Sequence, residues 1–227
     1  MKLINWDCLE EMDKLIAQGI KVDAIITDPP YKVISWWNKT PKRISWYWNS
    51  VLHKNDWKIF NHNSIHIKNW IGKCYNLLKE DSHCYIMTNT INLEEYLKEI
   101  RLAWFWLHNI LLWKKNTKNA NRWYMKEVEY IIFCRKWKAK SINNCWDWQV
   151  LKHTNPRNKT HPTEKPVTLL EQLIWNSTKE WDVVFDPFMW SGSCWVACMN
   201  TNREFIWIEL DEDYFDIANI RILLDNE

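Results

Sequence analysis

The hydrophobic pattern alternates between short apolar runs and segments with helical spacing. Six apolar runs are predicted to be strands: Val22–Thr27, Ser82–Thr88, Leu107–Trp113, Val128–Cys134, Asp182–Phe185 and Phe205–Ile208. Five segments are predicted to be helices: Ser64–Glu80, Asn92–Ala103 with Asn92 as its cap, Pro166 to about Asn176, Gly192–Asn200 and Tyr214–Leu224. Strands that alternate with helices indicate an α/β fold, with a mostly parallel sheet and helices on both faces.

Two stretches between these elements show little regular patterning. Lys32–Asn63 is polar, rich in turn-forming residues and too long for a tight connection. The second stretch, at about residues 114–160, is dense in basic residues. A chain of 227 residues is long enough for one domain around one core. We therefore expect a single domain over residues 1–227, with the basic stretch as an insertion.

Charge is distributed unevenly along the chain, although the net charge is only +2. Between Lys114 and Lys159 there are 12 Lys and Arg against 3 Asp and Glu, so this stretch carries +9 and the remainder carries −7. A basic segment in an acidic body is typical of proteins that bind polyanions such as nucleic acids. A solvated, loop-rich surface is the alternative interpretation.

The seven cysteines are scattered and form no Cys-x-x-Cys pair, which argues against a disulfide framework and against a zinc site. We expect them to be reduced and mostly in the core. No cluster of His and Asp has metal-ligand spacing, so no metal site is predicted. The chain shows neither a signal peptide nor a run of about 18 apolar residues, so no membrane span and a cytoplasmic location are expected.

Tryptophan is abundant in this chain and glycine is scarce. There are 19 Trp and 3 Gly, whereas average usage gives roughly 16 Gly for this length. Many of the tryptophans stand in segments typical of turns: Trp36, Trp37, Trp46, Trp48, Trp146 and Trp148. Turns use glycine for positive φ, which an indole side chain does not favour.

One hypothesis is that many Trp codons are UGA codons that the source organism reads as glycine. The alternative is a chain that is rich in tryptophan, for example for base stacking. Trp70, Trp113 and Trp123 lie in apolar or strand-like contexts where a native tryptophan is expected. The nucleotide sequence decides between the two, because UGG at every suspect position would exclude recoding.

The first motif with chemical meaning is Asp28-Pro29-Pro30-Tyr31, at the carboxyl end of a predicted strand, where open α/β sheets bind their ligands. An amine on an aromatic ring is a poor nucleophile because its lone pair is delocalised, so an enzyme that alkylates it must hold both N–H groups with acceptors. Asp28 offers a carboxylate and Pro29 a carbonyl on a turn stiffened by two prolines, and Tyr31 offers a stacking surface for a base. An ordinary strand-ending turn is the alternative.

The second motif is the run Val183–Ser193, an apolar strand followed by a loop and a predicted helix. A glycine-like loop at such a junction lets a cofactor approach the backbone closely. With glycine at position 190 the loop reads Phe-x-Gly-Ser-Gly, whereas a native Trp190 fills that space. Glu209 ends the next predicted strand, at the position that holds ribose hydroxyls in Rossmann-like folds; a surface acid is the alternative.

Two further motifs are weaker. His161-Pro162-Thr163-Glu164-Lys165-Pro166 leads into a predicted helix, where Lys165 could meet a cofactor carboxylate, although a plain helix entry also explains it. Asp7-Cys8 follows a short apolar start. No Cys and His pairing is recognisable, so a cysteine nucleophile is not predicted.

Taken together, these motifs resemble the β-class DNA amino-methyltransferases. In that family the Asp-Pro-Pro-Tyr block comes first, a target-recognition segment follows, and the Phe-x-Gly-x-Gly block comes late, which is a circular permutation of the common methyltransferase order. The matching stretches are Met1–Leu9, Val22–Tyr31, His161–Leu173 and Asp182–Ile222. The chain departs from the family pattern, which prefers glycine, at Trp6, Trp190, Trp195 and Trp207.

The resemblance implies a Rossmann-like methyltransferase fold and methyl transfer from S-adenosylmethionine to adenine N6 in DNA, after the base is flipped out of the duplex. It implies that the target amine is held by Asp28, Pro29, Pro30 and Tyr31. It implies that the cofactor is bound by Asp7, Cys8, Asp28, Lys165, Asp186, Phe188, Ser191, Gly192 and Glu209. Target recognition would fall to the basic stretch, whose Lys and Arg side chains mainly contact phosphates.

Three other functions stay open at this point. Cytosine N4 methylation is one, because the N4 amine of cytosine can be held by the same acceptors as the N6 amine of adenine. The aspartate at the first position of the motif favours adenine. A DNA-binding homologue without activity is another, if the tryptophans at glycine positions are native. The third is methylation of RNA or of a glutamine amide, for which the family pattern usually begins with Asn instead of Asp28. A homodimer and a cognate restriction endonuclease are both compatible with the family, and the sequence decides neither.

Overall fold

The computed structural model describes residues 2–30, 65–119, 124, 126–138, 140–156, 164–190 and 192–224. The chain divides into two compact units, one formed by Met1–Pro29 with Ile67–Glu227 and the other by Pro30–His66. Of the second unit only residue 30 and residues 65–66 are described.

Within its described residues the first unit has eight strands and six helices. The strands are β1 (Lys2–Asn5), β2 (Val22–Thr27), β3 (Leu78–Thr88), β4 (Trp106–Asn119), β5 (Lys126–Arg135), β6 (Val150–Lys152), β7 (Val183–Asp186) and β8 (Glu204–Glu209). The helices are α1 (Cys8–Ala17), α2 (Ile67–Leu77), α3 (Leu93–Leu102), α4 (Val167–Ser177), α5 (Ser193–Asn200) and α6 (Glu212–Leu224). None of these helices is long and apolar enough to cross a membrane.

The strands form one sheet in the order β1-β8-β7-β2-β3-β5-β4-β6. Only β5 runs antiparallel to its neighbours, β3 and β4, and the other pairings are parallel. Every residue of the central strand β2 is buried. Because successive side chains of a strand point to opposite faces, both faces of the sheet are covered there. The prediction of a Rossmann-like α/β fold with a mostly parallel sheet is confirmed.

Several element boundaries differ from the sequence prediction. The helix expected to reach Glu80 ends at Leu77, because β3 begins at Leu78, which pairs with Val22 of β2. Asn92 stands at the N-cap of α3 but makes no side-chain cap bond. Instead its backbone N–H donates to Asn89 Oδ1. Pairing with the neighbouring strand thus decided one boundary, and a local turn replaced the expected cap.

The basic stretch is more regular than the sequence suggested. Strand β4 continues through its beginning as far as Asn119, and β5 starts at Lys126, so the stretch contains the end of an antiparallel hairpin. The short strand β6 then adds to the sheet edge beside β4. Strand β1, helix α1 and strand β6 were not predicted from the pattern.

Tryptophan is frequent where the backbone is left-handed. Among the described residues six non-glycine residues have positive φ, and four of them are tryptophans: Trp104 (68°), Trp137 (51°), Trp181 (69°) and Trp190 (51°). L side chains with a Cβ rarely adopt this region, which glycine enters freely. The backbone therefore favours glycine at these four positions, whereas the suspect positions Trp146 and Trp148 are not among the left-handed residues. The suspect positions 36, 37, 46 and 48, and also Trp123, lie outside the described residues.

The buried tryptophans differ in how their N–H groups are satisfied. Trp113 Nε1 donates to the carbonyl of His153 at 3.0 Å. Trp70, Trp195 and Trp207 are fully buried, and their Nε1 atoms have no hydrogen-bond partner. A buried N–H without a partner is unfavourable. Trp113 is thus accommodated as a native tryptophan. An unsatisfied indole does not separate Trp70, which was expected to be native, from Trp195 and Trp207, where the family pattern prefers glycine.

All seven cysteines are free, and six of them are buried. Cys145 is the exposed one. The expectation that the cysteines are mostly core residues is confirmed.

Candidate active site

A cavity lies at the carboxyl ends of β2 and β7, two neighbouring parallel strands. It is partly open to solvent, and the space within its lining, open solvent included, is about 380 Å³. Four of the predicted site residues line it: Asp28, Lys165, Asp186 and Phe188. The other lining residues are Ile26, Thr27, Met87, Glu164, Leu170, Met189, Trp190, Ser193 and Cys194. Three motifs that are far apart in the sequence therefore meet at one place.

Asp28 presents one engaged and one unengaged carboxylate oxygen at this cavity. Its Oδ2 lies 2.6 Å from Lys165 Nζ, and 16% of the area of its side chain is exposed. Its Oδ1 is buried and has no hydrogen-bond partner. Burial raises the pKa of the Asp28 carboxyl, while the Lys165 ammonium opposes that rise. A buried acceptor without a donor is costly unless a ligand supplies one.

A buried hydrogen bond joins the ends of the two strands. Thr27 Oγ1 donates to Asp186 Oδ1 at 2.7 Å, and the backbone N–H of Phe188 donates to the same oxygen at 3.0 Å. Burial raises the pKa of Asp186 well above its ordinary value. Thr27 was not predicted as a site residue; its polar side chain at the end of an apolar strand was the signal. This bond fixes the Asp28 turn against the Asp186 loop.

Trp190 connects the loop after β7 to two other parts of the site. Its backbone N–H donates to Glu209 Oε2 at 2.8 Å, and its indole Nε1–H donates to the backbone carbonyl of Asp28 at 2.7 Å. The indole ring also meets the ring of Tyr214 edge to face, with centroids 6.0 Å apart. The indole therefore occupies part of the space between the Asp28 turn and the loop.

Glu209 is held by backbone donors at the end of β8. Its Oε1 accepts the N–H of Asp211 at 3.0 Å, in addition to the Trp190 N–H on Oε2. Burial raises the pKa of Glu209 to about 7. Beside it, Gly192 has φ 77° at the N-cap of α5, and a Cβ there would lie 3.4 Å from Ala218 Cβ. The loop therefore uses one genuine glycine in a left-handed conformation.

Asp7 and Cys8 do not line the cavity. Asp7 is the N-cap of α1, where its Oδ1 accepts the N–H groups of Leu9 and Glu10. Cys8 is buried, and burial raises the pKa of its thiol to about 12. Both follow β1, which pairs with β8 so that Asn5 stands opposite Glu209. They lie on the Glu209 side of the site, and their part in cofactor binding stays a prediction.

Lys165 contacts protein carboxylates. Besides Asp28, it lies 3.4 Å from Glu129 Oε2, and Glu129 Oε1 is paired with Lys115 Nζ. Sequence reasoning assigned Lys165 to a cofactor carboxylate and missed Glu129. The signal for Glu129 was an acidic residue inside the otherwise apolar run Val128–Cys134. Of the remaining predicted residues, Tyr31 and Ser191 lie outside the described residues.

Comparison with known proteins gives a consistent group of matches. A family model described as DNA methylase, of the N6/N4 type, matches residues 22–145 and 135–220. The Type II methyltransferase M.HpaI of Haemophilus parainfluenzae is 26% identical over 91% of this chain and 69% of its own length. The Type II methyltransferase M2.DpnII of Streptococcus pneumoniae is 27% identical over 100% of this chain and 91% of its own. The crystal structure of an M1.HpyAVI complex with SAM matches with a TM-score of 0.75 and 26% identity, covering 97% of this chain and 98% of that one.

Proposed function

The chain belongs to the N6/N4 DNA methylase family, and on that premise we propose that it transfers a methyl group from S-adenosylmethionine to the N6 amine of adenine in DNA. The observation that carries the proposal is Asp28 Oδ1, a buried acceptor without a donor at the cavity. A base amine that enters the cavity supplies the missing N–H. Because an adenine inside the duplex cannot reach such a pocket, the base must be flipped out.

The chemistry of the lining fits S-adenosylmethionine. The cofactor carries a sulfonium and an amino group, and of the two aspartates that line the cavity we assign Asp186 to the cofactor and Asp28 to the target amine. Its ribose offers two hydroxyl donors, which suit the carboxylate of Glu209 at the end of β8. The Trp190 indole restricts the space, because its Nε1–H is bound to the carbonyl of Asp28. We propose that the cofactor is bound when this indole is displaced or replaced by glycine.

The bound cofactor supplies an electrophilic methyl group, and the chain prepares the amine that attacks it. Asp28 Oδ1 accepts one N–H, and the carbonyl of Pro29 is proposed to accept the other. Two acceptors draw electron density toward the amine nitrogen and favour the positive charge that develops there. Tyr31 is proposed to stack on the base. The Thr27 bond to Asp186 keeps the acceptor in register with the cofactor loop.

Cytosine N4 is the alternative target, because its exocyclic amine offers the same two N–H groups. The leading Asp28 favours adenine in this family pattern. Mass spectrometry of nucleosides from DNA treated with the enzyme separates the two. N6-methyladenine is the expected product, and N4-methylcytosine alone would overturn the choice of base.

We predict that Asp28→Ala abolishes methyl transfer. The change removes the carboxylate acceptor, and the loss of one preorganised group of this kind costs about 10²–10³-fold in kcat. The assay uses radiolabelled S-adenosylmethionine and DNA, with the Trp190→Gly chain as the parent. Calorimetric affinity for the cofactor should stay within a few fold, since Asp186 and Glu209 are unchanged.

The matched control is Asp13→Ala, because Asp13 is an exposed acid of α1 outside the cavity. It should retain the parent's turnover. Unchanged turnover in Asp28→Ala would remove the role assigned to this carboxylate.

A further inference from the structure

Asp28 is the last of four side chains whose charges alternate. Lys165 Nζ lies between Asp28 Oδ2 at 2.6 Å and Glu129 Oε2 at 3.4 Å. Glu129 Oε1 is paired in turn with Lys115 Nζ. The exposed fractions of these four side chains lie between 7% and 22%. The line of charges therefore runs from the edge of the cavity into the β4–β5 hairpin.

The register of strands β4 and β5 sets the positions of Glu129 and Lys115, which form the end of this line away from the cavity. Glu129 on β5 stands opposite Trp113 on β4. Lys115 lies two residues beyond Trp113, so it projects to the same face of the sheet. Its ammonium also lies 5.1 Å from the centroid of the Trp113 ring. Glu129 is thus fixed by the hairpin, whereas Lys165 comes from the segment before α4 and carries a flexible stem.

Stability alone does not account for such a line. Burying paired charges costs desolvation that often matches the Coulombic gain, so apolar residues of similar size would serve a core equally well. Two acids here also approach one lysine, which would satisfy Asp28 by itself. The second acid must be explained by what it does to the lysine.

Glu129 limits where the Lys165 ammonium can go. An ammonium has three donors on a mobile four-carbon stem. With Asp28 as its only anion, it could bridge both carboxylate oxygens and take the place of the amine. Attraction to Glu129 Oε2, 3.4 Å away and itself without a hydrogen bond, competes for the ammonium, which lies at Oδ2 while Oδ1 is observed without a partner. Glu129 does not line the cavity, so it acts through Lys165.

We propose that Glu129 is a positioning residue for methyl transfer: it holds Lys165 against one oxygen of Asp28 and thereby keeps the other oxygen open to the target amine. This inference rests on the proposed function, because it gives Glu129 a role at that same site. Lys115 completes the arrangement by anchoring Glu129.

The charges around Asp28 also determine in which direction the pH dependence of activity shifts when Glu129 is changed. Within the described part of the chain, the charged and titratable groups that interact with Asp28 are Lys165, Glu129, Lys115, Asp186 and Tyr96. Burial raises the pKa of Asp28, the two lysines lower it, and Glu129 raises it further. Asp28 must be ionised to accept an N–H, so activity falls as the pH drops through its pKa. Removing the Glu129 charge therefore moves this acid limb to lower pH.

The test compares Glu129→Gln with Glu127→Gln, both made in the Trp190→Gly chain so that the Trp190 indole does not obstruct the cofactor. Glu127 lies two residues away on β5 and is paired with Lys114 at 3.7 Å, so the control removes a neighbouring carboxylate with a different partner. Activity is followed as kcat, as KM for S-adenosylmethionine and as the pH profile. In parallel, the Asp28 carboxyl is titrated by ¹³C NMR, with Asp28→Asn used to assign its signal.

For Glu129→Gln we expect kcat to fall about tenfold or more, as misplacement of a catalytic group does, with little change in the KM for the cofactor. The acid limb and the Asp28 titration should both move to lower pH, and Glu127→Gln should change neither. A folded Glu129→Gln protein with unchanged kcat and an unmoved titration would overturn the proposal. If no variant transfers methyl groups, the proposed function fails, while the NMR titration still decides whether Glu129 acts on Asp28.

Discussion

Trp190 touches both halves of the candidate site at once. Its main chain binds Glu209 and its indole binds the turn at Asp28, while its own φ is 51°. A left-handed backbone costs an L residue about 1–2 kcal/mol. Trp190 thus strains the backbone of the loop. Its side chain also takes up room between Asp28 and Glu209, whose carboxylates would face the target amine and the cofactor. Its replacement by glycine addresses both effects.

We predict that Trp190→Gly raises the affinity for S-adenosylmethionine. The change relieves the left-handed strain, frees the carbonyl of Asp28 and removes the indole from the cavity lining. A gain of at least about 1.4 kcal/mol would appear as a tenfold lower Kd in titration calorimetry.

The control for this change is Trp146→Gly. Trp146 is 90% exposed and lies outside the cavity, so the cofactor affinity should not change. Equal affinity in the parent chain and in Trp190→Gly would show that the indole is no obstacle.

Some of the residues named from the sequence meet at the candidate site, and others that lie there were not named. Asp28, Asp186 and Phe188 stand in motifs whose order and residue types already indicated an amine pocket, and they line one cavity. Thr27 and Glu129 were missed because their roles depend on which strands are neighbours. A threonine or a glutamate within an apolar run has no partner until β2 lies beside β7 and β4 beside β5.

At the scale of elements, three helices end in the same way. After α1, α3 and α5 the chain turns through a left-handed residue, and these residues are Gly19, Trp104 and Asn202. The N–H of each donates three residues back, and the N–H of the following residue donates five residues back. This is the Schellman arrangement, which glycine occupies most often, followed by asparagine. Trp104 therefore occupies the position that Gly19 takes after α1 and Asn202 takes after α5, and these are the residue types expected in this arrangement.

We predict that Trp104→Gly stabilises the protein. Trp104 is 79% exposed, so little packing is lost, and the left-handed strain of about 1–2 kcal/mol is relieved, part of it offset by the entropy of glycine in the unfolded chain. Urea unfolding should show a higher midpoint with an unchanged slope.

The comparison for this variant is Trp175→Gly. Trp175 is a half-exposed residue within α4, where glycine weakens a helix. This variant should be less stable than the parent. A loss of stability in Trp104→Gly as well would contradict the assignment of glycine to position 104.

Several internal elements were predicted from sequence with the right type, whereas helix α1 and the edge strands β1 and β6 were missed. The pattern predicted β2 with its bounds Val22–Thr27 and gave α4 within one residue at each end. It missed β6, because three residues carry too little periodicity to be recognised. That strand is defined by its pairing with β4, which no local pattern contains.

On the scale of the whole molecule, the buried acids couple stability to pH. Burial raises the pKa of Glu209 from 4.5 to about 7 in the folded state. The folded protein therefore holds this proton more tightly than the unfolded chain does. The stability that follows is fully present below pH 4.5 and is lost as the pH rises through about 7.

We predict that Glu209→Gln flattens this part of the pH dependence. Relative to the variant, the parent should lose up to about 3 kcal/mol in its free energy of unfolding as the pH rises through this window. Urea unfolding measured at steps from pH 4.5 to 7.5 gives the comparison. Glu180→Gln, an exposed turn position, should keep the parent's slope. Parallel curves for the parent and Glu209→Gln would show that Glu209 does not carry the coupling.

The hydrogen bond from Thr27 to Asp186 joins residues 159 positions apart. On the ribosome, the turn at Asp28 leaves the exit tunnel long before the Asp186 loop has been translated. The partner of strand β1 in the sheet is β8, which is translated later still. Nascent chains that stop before β7 thus hold half of a site, and modification of DNA can begin only once synthesis has passed the last strands.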